Sequence, residues 1–231
     1  MKLIITRPHG DAAPLQAKLV ALGHQCLLMP LLKIMPRAAV HVPAKFYQAI
    51  CITSANAVAQ TVSGVDPGDT PLYCVGPQSA TAARAAGFQQ VESQGGDVNG
   101  LTVFLENALS PVQGPILYLS GAETSGDLEG RLQAMGFAVD RVVCYDAMPQ
   151  HPGGLKAALS RAEGVLLYSP RTAKLWVEAL AKEGIKQPRL QHFCLSDRVA
   201  AALPQSWARS IAQTPDELSL LARLDQPQEG A

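Results

Sequence analysis

The chain has 231 residues, 48% of them apolar, with 19 Lys and Arg balanced by 19 Asp and Glu. That length suits two lobes of roughly 100 residues, each able to bury a core, and the composition excludes wholesale disorder, a polybasic nucleic-acid surface and an acidic tail. An anionic ligand would have to be held by local donors and not by net charge.

Taken in chain order, Met1-Lys2-Leu3-Ile4-Ile5-Thr6 offers an apolar run too short for a signal-peptide core. No later segment approaches the roughly 18 apolar residues of a membrane span, so a cytoplasmic protein with no membrane or nucleic-acid partner is expected. Leu3–Thr6 predicts a strand followed by a helix to Leu22; Cys26–Leu31 predicts the next strand. Ala49–Thr53 leads into a helix from Ala55, and Leu72–Val75 into a helix from Gln78. The order then recurs: Ile116–Leu119 with a helix to Met135, Val139–Cys144, Val165–Tyr168 with a helix from Arg171, and Phe193–Leu195 with a helix from Arg198. Short β-rich runs alternating with helical patterns indicate parallel βαβ units.

The recurrence is an internal duplication. Gly23 in Leu22–Cys26 and Gly136 in Met135–Val139 are helix stops 113 positions apart; Ser54 and Ser169 are 115 apart, Cys74 and Cys194 120. Two stretches break the pattern, Leu31–Arg37 and Tyr145–Pro152, and their prolines predict paired extended linkers. Gln94–Gly100 and Gln113–Gly114 predict surface loops, and the tail after Asp225 a frayed end. The five cysteines, Cys26, Cys51, Cys74, Cys144 and Cys194, lack Cys-x-x-Cys spacing and predict buried free thiols. The five scattered histidines offer no zinc spacing.

Ligands of open parallel sheets bind beyond the carboxyl ends of the strands, where helix N-termini present N–H groups and partial positive charge. Six such corners are readable: Thr6-Arg7-Pro8, Thr53-Ser54, Gly76-Pro77, Ser120-Gly121, Ser169-Pro170-Arg171 and Ser196-Asp197-Arg198. Each carries a hydroxyl or glycine suited to an N-cap, which alone would explain it. Three also carry an arginine, Arg7, Arg171 and Arg198, the side chain suited to carboxylate or phosphate. Gly121–Gly126 superficially suggests a phosphate loop, but Asp127 stands where the lysine is required. No dinucleotide fingerprint, nucleophile elbow or HExxH motif is present. Tyr145 is either a packing residue or a cleft phenol able to donate a proton.

The succession Ile4-Ile5-Thr6-Arg7-Pro8, Ile52-Thr53-Ser54-Ala55-Asn56-Ala57-Val58, Val75-Gly76, Cys144-Tyr145, Tyr168-Ser169-Pro170 and Leu195-Ser196-Asp197-Arg198-Val199-Ala200 resembles the uroporphyrinogen-III synthase family, particularly its bacterial members. The resemblance implies two similar flavodoxin-like or Rossmann-like α/β lobes joined by a two-stranded antiparallel linker. The first would hold residues 1–35 and 150–231, the second residues 38–144, with linker strands at 31–37 and 145–151. The duplicated halves would then not be the lobes, and substrate would lie in the cleft between them. It further implies a lyase that cyclises hydroxymethylbilane, a linear polycarboxylate tetrapyrrole, with loss of water and inversion of ring D. No metal or organic cofactor is implied. The expected state is a monomer, in transient contact with hydroxymethylbilane synthase. Matching positions suggest Arg7, Ser54, Asn56, Gly76, Ser79, Ser120, Ser169, Pro170, Arg171, Thr172, Ser196 and Arg198 for substrate binding, mostly through backbone N–H, with Tyr145 assisting hydroxyl departure. Two departures stand out: Ser196-Asp197-Arg198 replaces a Gly-Pro-Thr-like turn, and Ser120–Glu123 lacks the arginine often found in that corner. The alternative from a different class is a non-catalytic two-lobed binder of a small polyanion.

Overall fold

Apolar runs that can be covered on both sides become strands, and the intervening 3.6-period segments become the helices that cover them. In a computed structural model, residues 1–38, 40–58, 65, 67–94 and 97–225 are described. The elements in chain order are β1 (Lys2–Ile5), α1 (His9–Ala21), β2 (Gln25–Leu28), β3 (Leu32–Pro36), β4 (Ala49–Ile52), β5 (Leu72–Cys74), α2 (Pro77–Ala85), β6 (Val91–Ser93), α3 (Val98–Ala108), β7 (Ile116–Gly121), α4 (Leu128–Ala134) and β8 (Val139–Pro149). They continue with α5 (Leu155–Leu159), β9 (Gly164–Leu167), α6 (Pro170–Lys182), β10 (Gln191–Cys194), α7 (Asp197–Ala200), β11 (Arg209–Ile211) and α8 (Glu217–Leu221).

The chain divides into two compact units, residues 1–33 with 148–231 and residues 34–147. In the first, the sheet order is β2-β1-β9-β10-β11, parallel throughout. Strand alternation puts Ile4, Val165, Leu167 and Cys194 in one core with Trp176 and Leu180 of α6. Leu3, Ile5, Leu166 and Phe193 enter the opposite core with Leu15 and Leu19 of α1. Both faces are covered by apolar side chains, as a doubly wound sheet requires.

In the second unit the order is β3-β8-β7-β4-β5-β6. From β8 to β6 the pairing is parallel. Ile50, Ile52, Leu117 and Leu119 face a core closed by Ala80 and Ala83 of α2, and Cys51, Ile116 and Tyr118 face one closed by Leu101 and Leu105 of α3 and Leu128 and Leu132 of α4. β3 runs against β8: Arg37 N–H donates to the Cys144 carbonyl, while Gln150 N–H donates to that of Leu31, so one numbering rises as the other falls. The chain passes between the units inside these two strands.

Three predicted boundaries are corrected. The strand predicted over Val139–Cys144 runs on to Pro149, giving the eleven residues of β8, because residues 145–149 continue the extended backbone opposite β3. Val98–Gly100 are not loop: they form the first turn of α3, begun by Asp97, whose Oδ1 accepts the Asn99 and Gly100 N–H groups. At Ala55 the chain makes a 3₁₀ turn, Ala55–Ala57; residues 59–64 of the predicted helix, Gly95 and Gly96 of the predicted loop, and the tail after Asp225 lie outside the described residues. Of the five cysteines, all free, four are buried and Cys26 is half-buried.

Candidate functional site

Because β1, β9 and β10 are parallel neighbours, their carboxyl ends share one edge of the first sheet. The winding reverses between β1 and β9, the switch point at which crevices open in such sheets. Thr6 is buried there and its hydroxyl donates to the Leu166 carbonyl at 2.8 Å, so it ties β1 to β9 and does not cap α1. The Arg7 guanidinium lies 4.7 Å from the Tyr168 ring centroid. It pairs with Glu217 at 3.2 Å and Asp11 at 3.9 Å, and Glu217 also accepts from Lys18 Nζ at 2.5 Å. Burial, with the Glu217 charge, pushes the Tyr168 phenol above its ordinary range. Ser169 caps α6: its Oγ accepts the Thr172 N–H at 3.1 Å and shares a hydrogen bond with the buried Thr172 hydroxyl. Pro170 occupies the first helical position, where no N–H is needed, and Arg171 follows it half-buried. Ser196 precedes the single-turn α7 without a side-chain capping bond, and Arg198 is exposed on that turn.

The second unit repeats the arrangement on β7, β4 and β5. Ser54 Oγ accepts the Asn56 N–H at 3.2 Å and its side-chain amide at 3.3 Å. Beside it, the Thr53 and Tyr118 hydroxyls lie 3.2 Å apart. Burial raises the Tyr118 phenol, while the Thr53 hydrogen bond and the Arg141 charge act the other way. Gly76 stands before Pro77 at the start of α2, with open space where a side chain would project, and Ser79 is buried in that helix's first turn.

At the end of β7, Ser120 is buried and caps nothing; its Oγ accepts from Arg141 Nε at 2.9 Å. Arg141 Nη2 donates to the carbonyls of Gly121 and Ala122, each at 2.9 Å, and Nη1 lies 3.7 Å from Glu129. Tyr145, 7% exposed, faces Gly121 across the β7–β8 ladder. Asp127, which ruled out the phosphate loop, caps α4 by accepting the Gly130 N–H at 2.9 Å.

The capping expectation therefore holds by side chain at Ser54 and Ser169 but not at Thr6, Ser120 or Ser196. The structure gathers Arg7, Ser169, Pro170, Arg171, Thr172, Ser196 and Arg198 on the carboxyl edge of the first sheet. It gathers Ser54, Asn56, Gly76, Ser79, Ser120 and Tyr145 on that of the second. Sequence reasoning named neither Tyr118, Tyr168 nor Arg141 as a site residue; the adjacent charges Asp140 and Arg141 inside the otherwise apolar run Val139–Cys144 were the available signal for the last.

Hydroxyls, amide N–H groups and arginines thus line the carboxyl edges of the parallel strands in both units of a two-unit α/β protein. Among the described residues no group of three or more His, Cys, Asp and Glu could hold a metal ion, and no helix is long and apolar enough to cross a membrane. The family model described as uroporphyrinogen-III synthase HemD matches residues 13–222, and the chain belongs to that family of cyclising lyases of tetrapyrrole biosynthesis. Its fold is similar to uroporphyrinogen-III synthetase from Helicobacter pylori, at 14% identity over 96% of this chain and 97% of that one, with a TM-score of 0.62. It is also similar to a mutant uroporphyrinogen III synthase from Thermus thermophilus, at 17% identity over 97% of each chain, with a TM-score of 0.52. No curated protein sequence matches the chain.

Proposed function

We infer that this chain cyclises hydroxymethylbilane to uroporphyrinogen III. The observation that carries this reading is the family match over residues 13–222. Proton transfer to the terminal hydroxyl lets it leave as water and gives an azafulvene. The substituted carbon of ring D attacks it to form a spiro intermediate, which fragments and recloses with D reversed. Because the bilane closes unaided to the unreversed type I isomer, the protein's task is to hold one conformation. A flexible polycarboxylate suits the two donor edges: Ser54, Asn56, Gly76, Ser79 and Ser120 on one, and Arg7, Ser169, Pro170, Arg171, Thr172, Ser196 and Arg198 on the other. The functional lobes in this reading are residues 1–35 with 150–231 and residues 38–144, joined by strands at 31–37 and 145–151. The protein works as a cytoplasmic monomer, receiving its unstable substrate in transient contact with hydroxymethylbilane synthase. Tyr145 is the proton donor for hydroxyl departure, a role supported by its place at the carboxyl end of the β7–β8 ladder.

The test is to supply fresh hydroxymethylbilane and measure the ratio of type III to type I product. Type III in excess is expected; type I alone, as in the protein-free blank, would overturn the assignment in favour of a non-catalytic polyanion binder. Tyr145→Phe should slow type III formation without abolishing it, and an unchanged rate would remove Tyr145 from the chemistry.

A further inference from the structure

The β7–β8 ladder keeps register from Ile116 opposite Val139 to Ser120 opposite Val143 and then slips, so that Gly121 faces Tyr145 and not Cys144. In regular alternation Tyr145 would share the face of Arg141 and Val143. The bulge turns it over, into the core cluster of Ile52, Leu119 and Cys144. There the phenol rests against the Gly121 backbone: a Cβ on Gly121 would stand 2.7 Å from Tyr145 Cζ and 2.9 Å from its Oη. The Tyr145 carbonyl accepts the Ala122 N–H at 2.9 Å, which fixes the same turn from the β8 side.

Arg141 holds that turn through three further bonds, to Ser120 Oγ and to the carbonyls of Gly121 and Ala122. The guanidinium supplies these donors in one rigid plane. With Nε and Nη2 committed to the turn and Nη1 directed at Glu129, Arg141 acts on its own chain. We propose that Arg141 is a positioning residue for hydroxyl departure: it locks the Ser120–Ala122 turn as the plate on which the bulged β8 strand sets the Tyr145 phenol. This rests on the reading of Tyr145 as the proton donor.

The experiment measures kcat, KM and the type III to type I ratio for Arg141→Met, Arg141→Lys, Tyr145→Phe and Arg141→Met/Tyr145→Phe, with thermal unfolding of each. Arg141→Met should lower kcat by about tenfold to a hundredfold, the cost of a misplaced catalytic group, with KM nearly unchanged. Arg141→Lys should not restore it, since one ammonium cannot span three acceptors. In the Tyr145→Phe background, Arg141→Met should cost little more, because the group it positions is already gone. Losses that multiply in the double variant overturn the positioning role while leaving Tyr145 in place, and a rise in KM alone would make Arg141 a substrate ligand. A Tyr145→Phe rate equal to wild type sinks the proton-donor reading and this proposal with it. Should Arg141→Met fail to fold, Gly121→Ala tests the same plate: its methyl group displaces the phenol with Arg141 intact, and its kcat loss should likewise vanish in the Tyr145→Phe background.

Discussion

Lowering the pH from 7.5 to 5 is expected to weaken the first unit by about 2 kcal/mol through His192 alone. The imidazole is fully buried, stacked on Trp207 with ring centroids 5.0 Å apart and edge-on to Trp176 at 6.5 Å. Its Nδ1 lies 2.9 Å from the Ala208 carbonyl, which can only accept, so the neutral ring carries its proton there. That leaves Nε2 buried with no hydrogen-bond partner. Burial, helped by the Arg209 charge and opposed by the Ala208 carbonyl, pushes the pKa down from 6.5 to about 4. The unfolded chain therefore takes up the proton first as the pH falls. The stabilisation is complete above the unfolded value and is lost between 6.5 and about 4, reaching about 2 kcal/mol lost at pH 5 and about 3 kcal/mol in all. The assay is urea unfolding by tryptophan fluorescence at several pH values, comparing wild type with His192→Leu. Both tryptophans of the chain, Trp176 and Trp207, belong to the first unit, so the signal reports that unit whether or not the second unfolds with it. Subtracting the variant removes the carboxylates common to both proteins. Stability curves that stay parallel within about 0.5 kcal/mol from pH 7.5 to 5 would refute the burial of a neutral imidazole.

Ser169→Ala should cost about 1 kcal/mol in the same fluorescence assay, because the Thr172 N–H loses the side-chain acceptor that begins α6; an unchanged midpoint would mean that the cap contributes nothing. Glu217→Gln removes the carboxylate charge that Arg7 and Lys18 now share. If Arg7 binds a substrate carboxylate, KM should fall by about threefold to tenfold with kcat steady, and a KM equal to wild type would take Arg7 out of substrate binding.

The strands and their corners were readable because they depend on local pattern: apolar runs ending in Thr, Ser or Gly, followed by helical periodicity. What escaped depends on partners distant in sequence. The bulge on β8 lies inside Val142-Val143-Cys144-Tyr145, four residues able to face either side, so only the pairing with β7 reveals which way Tyr145 points. Arg141 has its partners about twenty residues upstream, on a strand whose register the sequence does not specify. Its corner could be read as lacking an arginine because the guanidinium arrives from the neighbouring strand. The start of α3 was hidden for the opposite reason: Gly95, Gly96 and Gly100 dominate the local composition, while the decisive residue is the single acceptor Asp97.

The duplication and the division into units make sense together. Replacing β1, β2, β9, β10 and β11 by β7, β8, β4, β5 and β6 converts the first sheet order into the parallel part of the second. The matched residues fall at equivalent places: Gly23 and Gly136, both with positive φ, after α1 and α4; Ser54 and Ser169 after β4 and β9; Cys74 and Cys194 in β5 and β10. The five parallel strands of each sheet thus come two from one half of the chain and three from the other. Either half alone would leave β1 without β9, or β4 without β7, exposing a central strand with unpaired backbone groups. The switch point of each sheet is also where the two halves pair. The carboxyl edges carrying the candidate residues therefore form only when both repeats contribute, Arg7 beside Ser169 on one sheet and Ser54 beside Ser120 on the other.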